Sequence, residues 1–202
     1  MLNVCIAIVI SYLLGSVSFS IVIAKLVKGI DIRQHGSGNA GATNTIRVLG
    51  KGPGLLVFFL DIAKGIAAVW LGHWLGPDSY GDWTAALCGL AAIIGHNWPV
   101  WFRFKGGKGI ATTVGVMATL AFVPALIAGI VAIATIAITR YVSLGSLLFA
   151  SLVPLFIGLI HYSLPLLSVS LLLCVFAFVR HRTNIVKLAK GTENKLGAKK
   201  GA

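Results

Sequence analysis

The run IATTVGVMATLAFVPALIAGIVAIATIAIT, from Ile110 to Thr139, decides how this chain folds. It carries no charged residue over its whole length. As a single helix of thirty residues at about 1.5 Å each it would be about 45 Å long, against a hydrocarbon core of about 30 Å. Pro124 stands near its middle, where a helix kinks or breaks. The run therefore crosses a membrane either once, strongly tilted, or twice, and the flanking charges choose between the two. With a turn near Phe122–Pro124, Lys25, Lys28, Arg33, Arg47 and Lys51 fall on one side, together with Arg103, Lys105, Lys108, Arg140 and the basic tail from Arg180. The opposite side, at Leu75–Asp82, the proline turn and His161–Ser163, then holds no lysine or arginine, and only Lys64 lies within a span. A single crossing would export Arg140 and the whole tail. Basic residues collect in cytoplasmic loops, so two crossings are expected.

Working outward, apolar runs long enough to span lie at Leu2–Ala24, Gly54–Trp74, Trp83–Trp101, Val142–Ile160 and Leu164–Val179. The expected architecture is an all-α integral membrane protein, one domain over residues 1–202, with seven transmembrane helices. The N-terminus is outside, the C-terminus is cytoplasmic, and two short helices flank Pro124. Helices of about 14 residues reach only about 21 Å, which calls for local bilayer thinning or burial in protein. Residues from about 196 to 202 read as a disordered tail.

Composition agrees. The 202 residues are 57% hydrophobic and 11% charged, where soluble chains carry roughly 25% charged residues. The first run lacks a basic start and a small-residue cleavage site, so it reads as a retained helix and not a signal peptide. Cys5, Cys88 and Cys174 sit in apolar runs without paired spacing and read as packing residues. The net charge of +12 reflects loop orientation and lipid contact; no basic amphipathic helix or soluble module points to nucleic acid.

With this topology, three polar stretches share the cytoplasmic face. In GSGNAGATNTIR (Gly36–Arg47), Gly36, Gly38 and Gly41 interleave with Ser37, Asn39, Thr43 and Asn44. Glycines let successive N–H groups converge on an anion, and Arg47 can add a forked phosphate contact. A flexible linker would explain the glycines but not the amides, threonine and arginine packed among them. The order of residues does not match a Walker loop.

The second stretch, GHNWPVWFRFKGGKGIAT (Gly95–Thr112), puts Trp98 and Trp101 at the membrane interface and breaks at Pro99. Lys105 and Lys108 then bracket Gly106 and Gly107 just before a helix start, a suitable anion site. Basic anchoring accounts for the lysines but not for the glycines. His96 fits a satisfied interfacial histidine at least as well as a catalytic one.

In the third stretch, HRTNIVKLAKGTENK (His181–Lys195), His181, Asn184 and Lys187 share a helix face. His181 is the best-placed proton carrier near neutral pH. A lipid-bound basic tail explains the arginines and lysines equally well, but not the histidine and asparagine.

Asp61 and Lys64, three residues apart inside a span, read as a structural ion pair before a catalytic one. The five acidic residues are too few and scattered for a magnesium or two-metal site, and no Cys/His cluster has zinc spacing. No metal and no cofactor are expected.

SGNAGATN with its following arginine, GH-x-WP-x-x-F with FKGGKG, and H-x-x-N-I with a later G-x-E-x-K closely resemble the three motifs of the bacterial membrane acyltransferase family PlsY. The resemblance covers almost the whole chain, in motif order and spacing. It implies transfer of an acyl chain from acyl phosphate to glycerol 3-phosphate, giving lysophosphatidic acid and phosphate at the cytoplasmic face of the inner membrane, without acyl-CoA or acyl carrier protein. It implies Ser37, Arg47, Lys108, His181 and Asn184 as the core of the site, with Gly38, Asn39, Thr43, Asn44, His96, Lys105, Gly106 and Gly107 around them. Lys187 stands where arginine is common, so a forked contact there would be lost. The partners implied are the two substrates and membrane lipid, with the chain acting as a monomer.

The donor is already activated, so direct attack by the glycerol hydroxyl is expected, with Ser37 as a hydrogen-bond donor. Either His181 or the substrate's own phosphate could be the base. A membrane anion transporter is the alternative reading, but it would place coupling residues near the midplane and often carry an internal repeat.

Overall fold

The computed structural model describes residues 1–80, 82–160 and 162–197. Among them there are helices and no strand. The chain divides into two compact units, Met1–Leu120 and Ala121–Ala202.

The first unit holds α1 (Leu2–Gly15), α2 (Phe19–Lys28), α3 (Ala42–Leu49), α4 (Lys51–Leu75), α5 (Trp83–Asn97) and α6 (Ile110–Leu120), with short 3-10 turns between several of them. The expected first span is two helices separated by Ser16–Ser18, which together run Leu2–Lys28 and are apolar enough to cross. Helix α4 packs on α3, α5 and α6, and α5 packs on α1. Small residues line these seams. A methyl at Gly15 would meet the backbone of Ala92, one at Gly72 that of Ala85, and one at Gly115 the carbonyl of Ile62. Close backbone approach is how helices gain contact in lipid, where no hydrophobic force drives them together.

The second unit holds α7 (Phe122–Thr139), α8 (Val142–Ile160), α9 (Leu164–Arg180) and α10 (Arg182–Ala189). Helix α8 packs on α7 and α9, and α10 touches both α8 and α9. Between α9 and α10 the axis bends by 62° at His181. Each unit exposes large apolar side chains suited to lipid, such as Phe59 and Trp74 in the first and Ile133, Ile138 and Leu159 in the second.

The long run breaks in two, but not where expected. Its interruption is Ala121, and the pieces are unequal, 11 residues in α6 and 18 in α7. Pro124 is the third residue of α7. In a continuous helix its ring would collide with the Leu120 carbonyl, four residues back, so the helix must end upstream. In a first turn the missing N–H of proline has no partner to lose. Among the described residues, five helical segments are long and apolar enough to span, or six if the bent pair α9–α10 is one span, with α6 a shorter apolar helix. Of the expected disordered tail, Leu196 and Gly197 form a turn, with the Leu196 N–H donating to the Arg140 carbonyl at 2.7 Å; residues 198–202 lie outside the described residues, as does His161 of the expected outer loop.

Candidate functional site

The first glycine-rich stretch is a folded loop, not a linker. Asn44, buried at the start of α3, organises it. Its Oδ1 accepts the Ser37 N–H at 2.8 Å, while its Nδ2 donates to the carbonyls of His35 at 2.9 Å and Ile32 at 3.2 Å. Gly36 and Gly38 turn the chain with φ of 65° and 75°, which other residues adopt only at a cost. This leaves Ser37 exposed at the loop tip and Asn39 half-buried. Thr43 and Arg47 stand on successive turns of α3, Arg47 on its exposed side. Asn44, expected to touch substrate, spends its amide inside the protein.

The second stretch folds back on the end of α5. The Gly107 N–H donates to the His96 carbonyl at 3.1 Å, and that of Gly106 to the Asn97 carbonyl at 3.3 Å. A methyl at Gly106 would strike the His96 carbonyl, and one at Gly107 would strike both the His96 ring and the Ala40 carbonyl. The first two stretches therefore meet at Ala40 and Gly107. Lys105 is exposed and Lys108 is half-buried just ahead of α6.

Arg33, not singled out from sequence, clamps this loop from the outside. Its Nη1 donates to the carbonyls of Phe102 at 2.9 Å and Lys105 at 3.3 Å. Those carbonyls flank Arg103 and Phe104, both at φ 57° in the left-handed region. Asp31 holds the other edge of the guanidinium, with Nη2 donating to Oδ2 at 2.7 Å. The Arg33 hydrogen bonds keep the Asp31 carboxyl below the usual carboxylate range, and Asp31 in turn raises Arg33.

His96 is buried, with its Nδ1 at 3.0 Å from Lys64 Nζ. The expected Asp61–Lys64 ion pair is present at 2.8 Å, and Asp61 Oδ1 also lies 3.5 Å from His96 Nδ1. Lys64 is halfway along α4, so the glycine loop is level with the middle of that helix and not with its end.

The third stretch is organised within the second unit. His181, buried at the α9–α10 bend, has Nδ1 at 2.8 Å from the Ala177 carbonyl. A carbonyl can only accept, so Nδ1 carries a proton, and in the neutral ring Nε2 is the acceptor. Asn184 donates through Nδ2 to Glu193 Oε1 at 2.8 Å, and Ser143 donates to the same oxygen at 3.1 Å. Glu193, the lone acid of a basic tail, was visible in sequence only as part of a motif; its role in anchoring Asn184 needed the fold.

Residues 5–191 match the family model described as glycerol-3-phosphate acyltransferase. A glycerol-3-phosphate acyltransferase of Halalkalibacterium halodurans is 55% identical over 194 residues, covering 94% of each chain. One from Shouchella clausii is 58% identical over 192 residues, covering 93% of each. The crystal structure of PlsY, an integral membrane glycerol 3-phosphate acyltransferase in its glycerol 3-phosphate form, superposes with a TM-score of 0.89 at 40% identity, covering 96% of each chain.

Proposed function

The chain belongs to the glycerol-3-phosphate acyltransferase family that includes PlsY, and on that premise we propose that it uses acyl phosphate as donor and acylates the sn-1 hydroxyl of glycerol 3-phosphate. The hydroxyl oxygen forms the new ester bond to the acyl carbon. The bond from that carbon to the phosphate oxygen breaks, phosphate departs with the electron pair, and lysophosphatidic acid remains. The hydroxyl proton passes to a base.

The observation that carries this reading is the meeting of two glycine-rich loops at Ala40 and Gly107, with Arg47, Lys105 and Lys108 on the same two stretches. Substrates and products are all anionic phosphates, which forked and point cations and backbone N–H groups bind well. One substrate carries an acyl chain, which suits apolar helix faces open to lipid. An activated donor gains little from a covalent detour, so Ser37 donates a hydrogen bond and carries no acyl group. The Nε2 acceptor of His181 suits a base, and the substrate's own phosphate is the alternative acceptor. Asn184 lies three residues on, its amide held by Glu193 Oε1. The acidic residues are too scattered in sequence to build a metal site, and the reaction needs none.

For topology, α1 with α2, then α4, α5, α6, α7, α8 and α9 supply seven membrane segments of one polytopic domain in the bacterial inner membrane. The N-terminus is outside, the polar stretches are cytoplasmic, and the chain works as a monomer. Cysteine labelling should reach Gly76–Ser79 and His161–Ser163 from outside, and Gly36–Asn44 and Lys195 from inside. Labelling at Lys187 from outside would overturn the crossing count.

Purified protein, given acyl phosphate and glycerol 3-phosphate with chelator present, should form lysophosphatidic acid and phosphate. Turnover with acyl-CoA but not acyl phosphate would reject the donor. A stoichiometric acyl adduct on Ser37 after incubation with acyl phosphate alone, seen by mass spectrometry, would reject direct transfer.

A further inference from the structure

The Lys64 ammonium forms an ion pair with Asp61 Oδ1 at 2.8 Å, donates to the Val17 carbonyl at 2.8 Å and lies 3.0 Å from His96 Nδ1. The Phe19 ring covers it at 5.5 Å. The cluster is closed to solvent, with side-chain exposures of 1% for Lys64, 2% for Asp61 and 4% for His96. Val17 lies in the break between α1 and α2, Lys64 and Asp61 on α4, and His96 at the end of α5. One ammonium thus joins three pieces of the first unit just behind the Gly106–Gly107 loop.

Charge and hydrogen bonding settle the state of the imidazole together. Lys64 and Asp61 neutralise each other, so a protonated His96 would leave an uncompensated positive charge in a dry site, which is costly. A neutral ring has one N–H. Were it on Nδ1, that hydrogen would face an ammonium donor 3.0 Å away. With Nδ1 accepting from Lys64, the hydrogen must be on Nε2. The Nε2 edge is the one that faces Gly107, where even a methyl would overlap it, beside the Ala40 carbonyl.

We propose that Lys64, held by Asp61, is a positioning residue that fixes His96 as its Nε2–H tautomer, so that His96 serves the junction of the two glycine loops as a hydrogen-bond donor and not as a base. This gives the buried ion pair a defined part in the chemistry. It also separates the two buried histidines. His96 receives at Nδ1 and presents an N–H, whereas His181 donates at Nδ1 and presents a lone pair. The activity arm of the test rests on the acyltransferase reading; the spectroscopic arm does not.

The tautomer can be read directly by nitrogen NMR of the full-length protein with 15N-histidine in nanodiscs, the His96 signals being assigned by their loss in His96→Gln. In the wild type Nδ1 should be pyridine-like and Nε2 pyrrole-like. A pyrrole-like Nδ1, or an imidazolium, overturns the proposal. In Lys64→Met the ammonium is gone and the Asp61 carboxylate, 3.5 Å from Nδ1, becomes the strongest acceptor there, so the proton should move to Nδ1. Retention of the Nε2–H form in a folded Lys64→Met protein would show that Lys64 does not set it. In the acyl-transfer assay His96→Gln, whose amide can place an N–H near the Nε2 position, should keep about tenfold more turnover than His96→Asn, as expected for one retained hydrogen bond. Equal loss in both would overturn the donor role. A wild type with the Nε2–H form but no acyl transfer would instead reject the acyltransferase reading and leave the tautomer assignment standing.

Discussion

Gly36 and Gly38 in the first loop have φ of 65° and 75°, whereas Gly106 and Gly107 in the second lie outside the left-handed region and are hemmed in by His96, Pro99, Asn97 and Ala40. In one loop glycine supplies a backbone conformation; in the other it supplies room. The supports differ in the same way. The first loop hangs on one buried side chain, the Asn44 amide, which answers three backbone groups. The second is held by backbone donors to the end of α5, by Arg33 outside and by the ring of His96 inside. A conformational requirement can be met under strain, but space taken by a neighbouring backbone cannot be shared, so the two loops should respond differently to the same substitution.

The largest effect is expected at Gly107. Alanine there must displace both the His96 ring and the Ala40 carbonyl, and a shift of about 1 Å in positioning groups can cost about 100-fold, so kcat/KM for glycerol 3-phosphate should fall at least that far. Next come the cations. Arg47→Ala and Lys108→Ala should each lose at least about 2 kcal/mol of transition-state stabilisation, read from kcat/KM. Arg47→Lys should also be poor, since a point charge does not replace a fork. Near wild-type turnover in Lys108→Ala would take the second loop out of the site and leave only its supporting role.

Gly38→Ala should be milder. The left-handed backbone costs an L-residue about 1–2 kcal/mol, but the new methyl would meet only the Arg33 carbonyl at 3.3 Å. Activity within about tenfold of wild type is expected, with the loss appearing mainly in thermal stability. If Gly38→Ala proved more damaging to catalysis than Gly107→Ala, the contrast between conformation and room would be reversed.

The smallest effect belongs to the outer clamp. Asp31 is depressed in the folded protein chiefly by the Arg33 side-chain hydrogen bonds, so its contribution is present above the ordinary carboxyl value of about 3.9 and is lost as pH falls through the lower folded value. The pair is partly exposed, which limits the contribution to about 1 kcal/mol or less. The difference in thermal midpoint between wild type and Asp31→Asn should be small at pH 6 and shrink toward zero as the solution is acidified below the folded value. A difference that grew on acidification would remove the ion pair from the account of the second loop.

The sequence was most informative where the physics is local or one-dimensional. Long apolar runs locate most of the helices, since span length and hydrocarbon thickness are compared residue by residue. The Asp61–Lys64 pair follows from three-residue spacing on one helix face. The polar stretches are recognisable because glycines, amides and cations are concentrated in short segments. Less legible was the break in the long run: Pro124 signalled it, but the proline tolerates the first turn of α7 and moves the interruption to Ala121. Asn44 looked like a ligand by residue type, because sequence does not say whether an amide faces substrate or its own loop. Arg33 passed as one more interfacial cation, since its acceptors, Phe102 and Lys105, are distant in sequence.

By itself, then, the sequence determined the helical class, the family and the stretches that bear the chemistry, all properties set by hydropathy, charge and residue order along the chain. Only the tertiary structure decided that Gly107 sits against the ring of His96, that Lys64 reaches that ring from halfway along α4, and that Glu193 returns to hold Asn184. Each of these joins residues brought together by folding, and their effects arise from shared burial. A hydrogen must be on one nitrogen or the other, and a methyl fits or it does not, only after the neighbouring helix has closed the space.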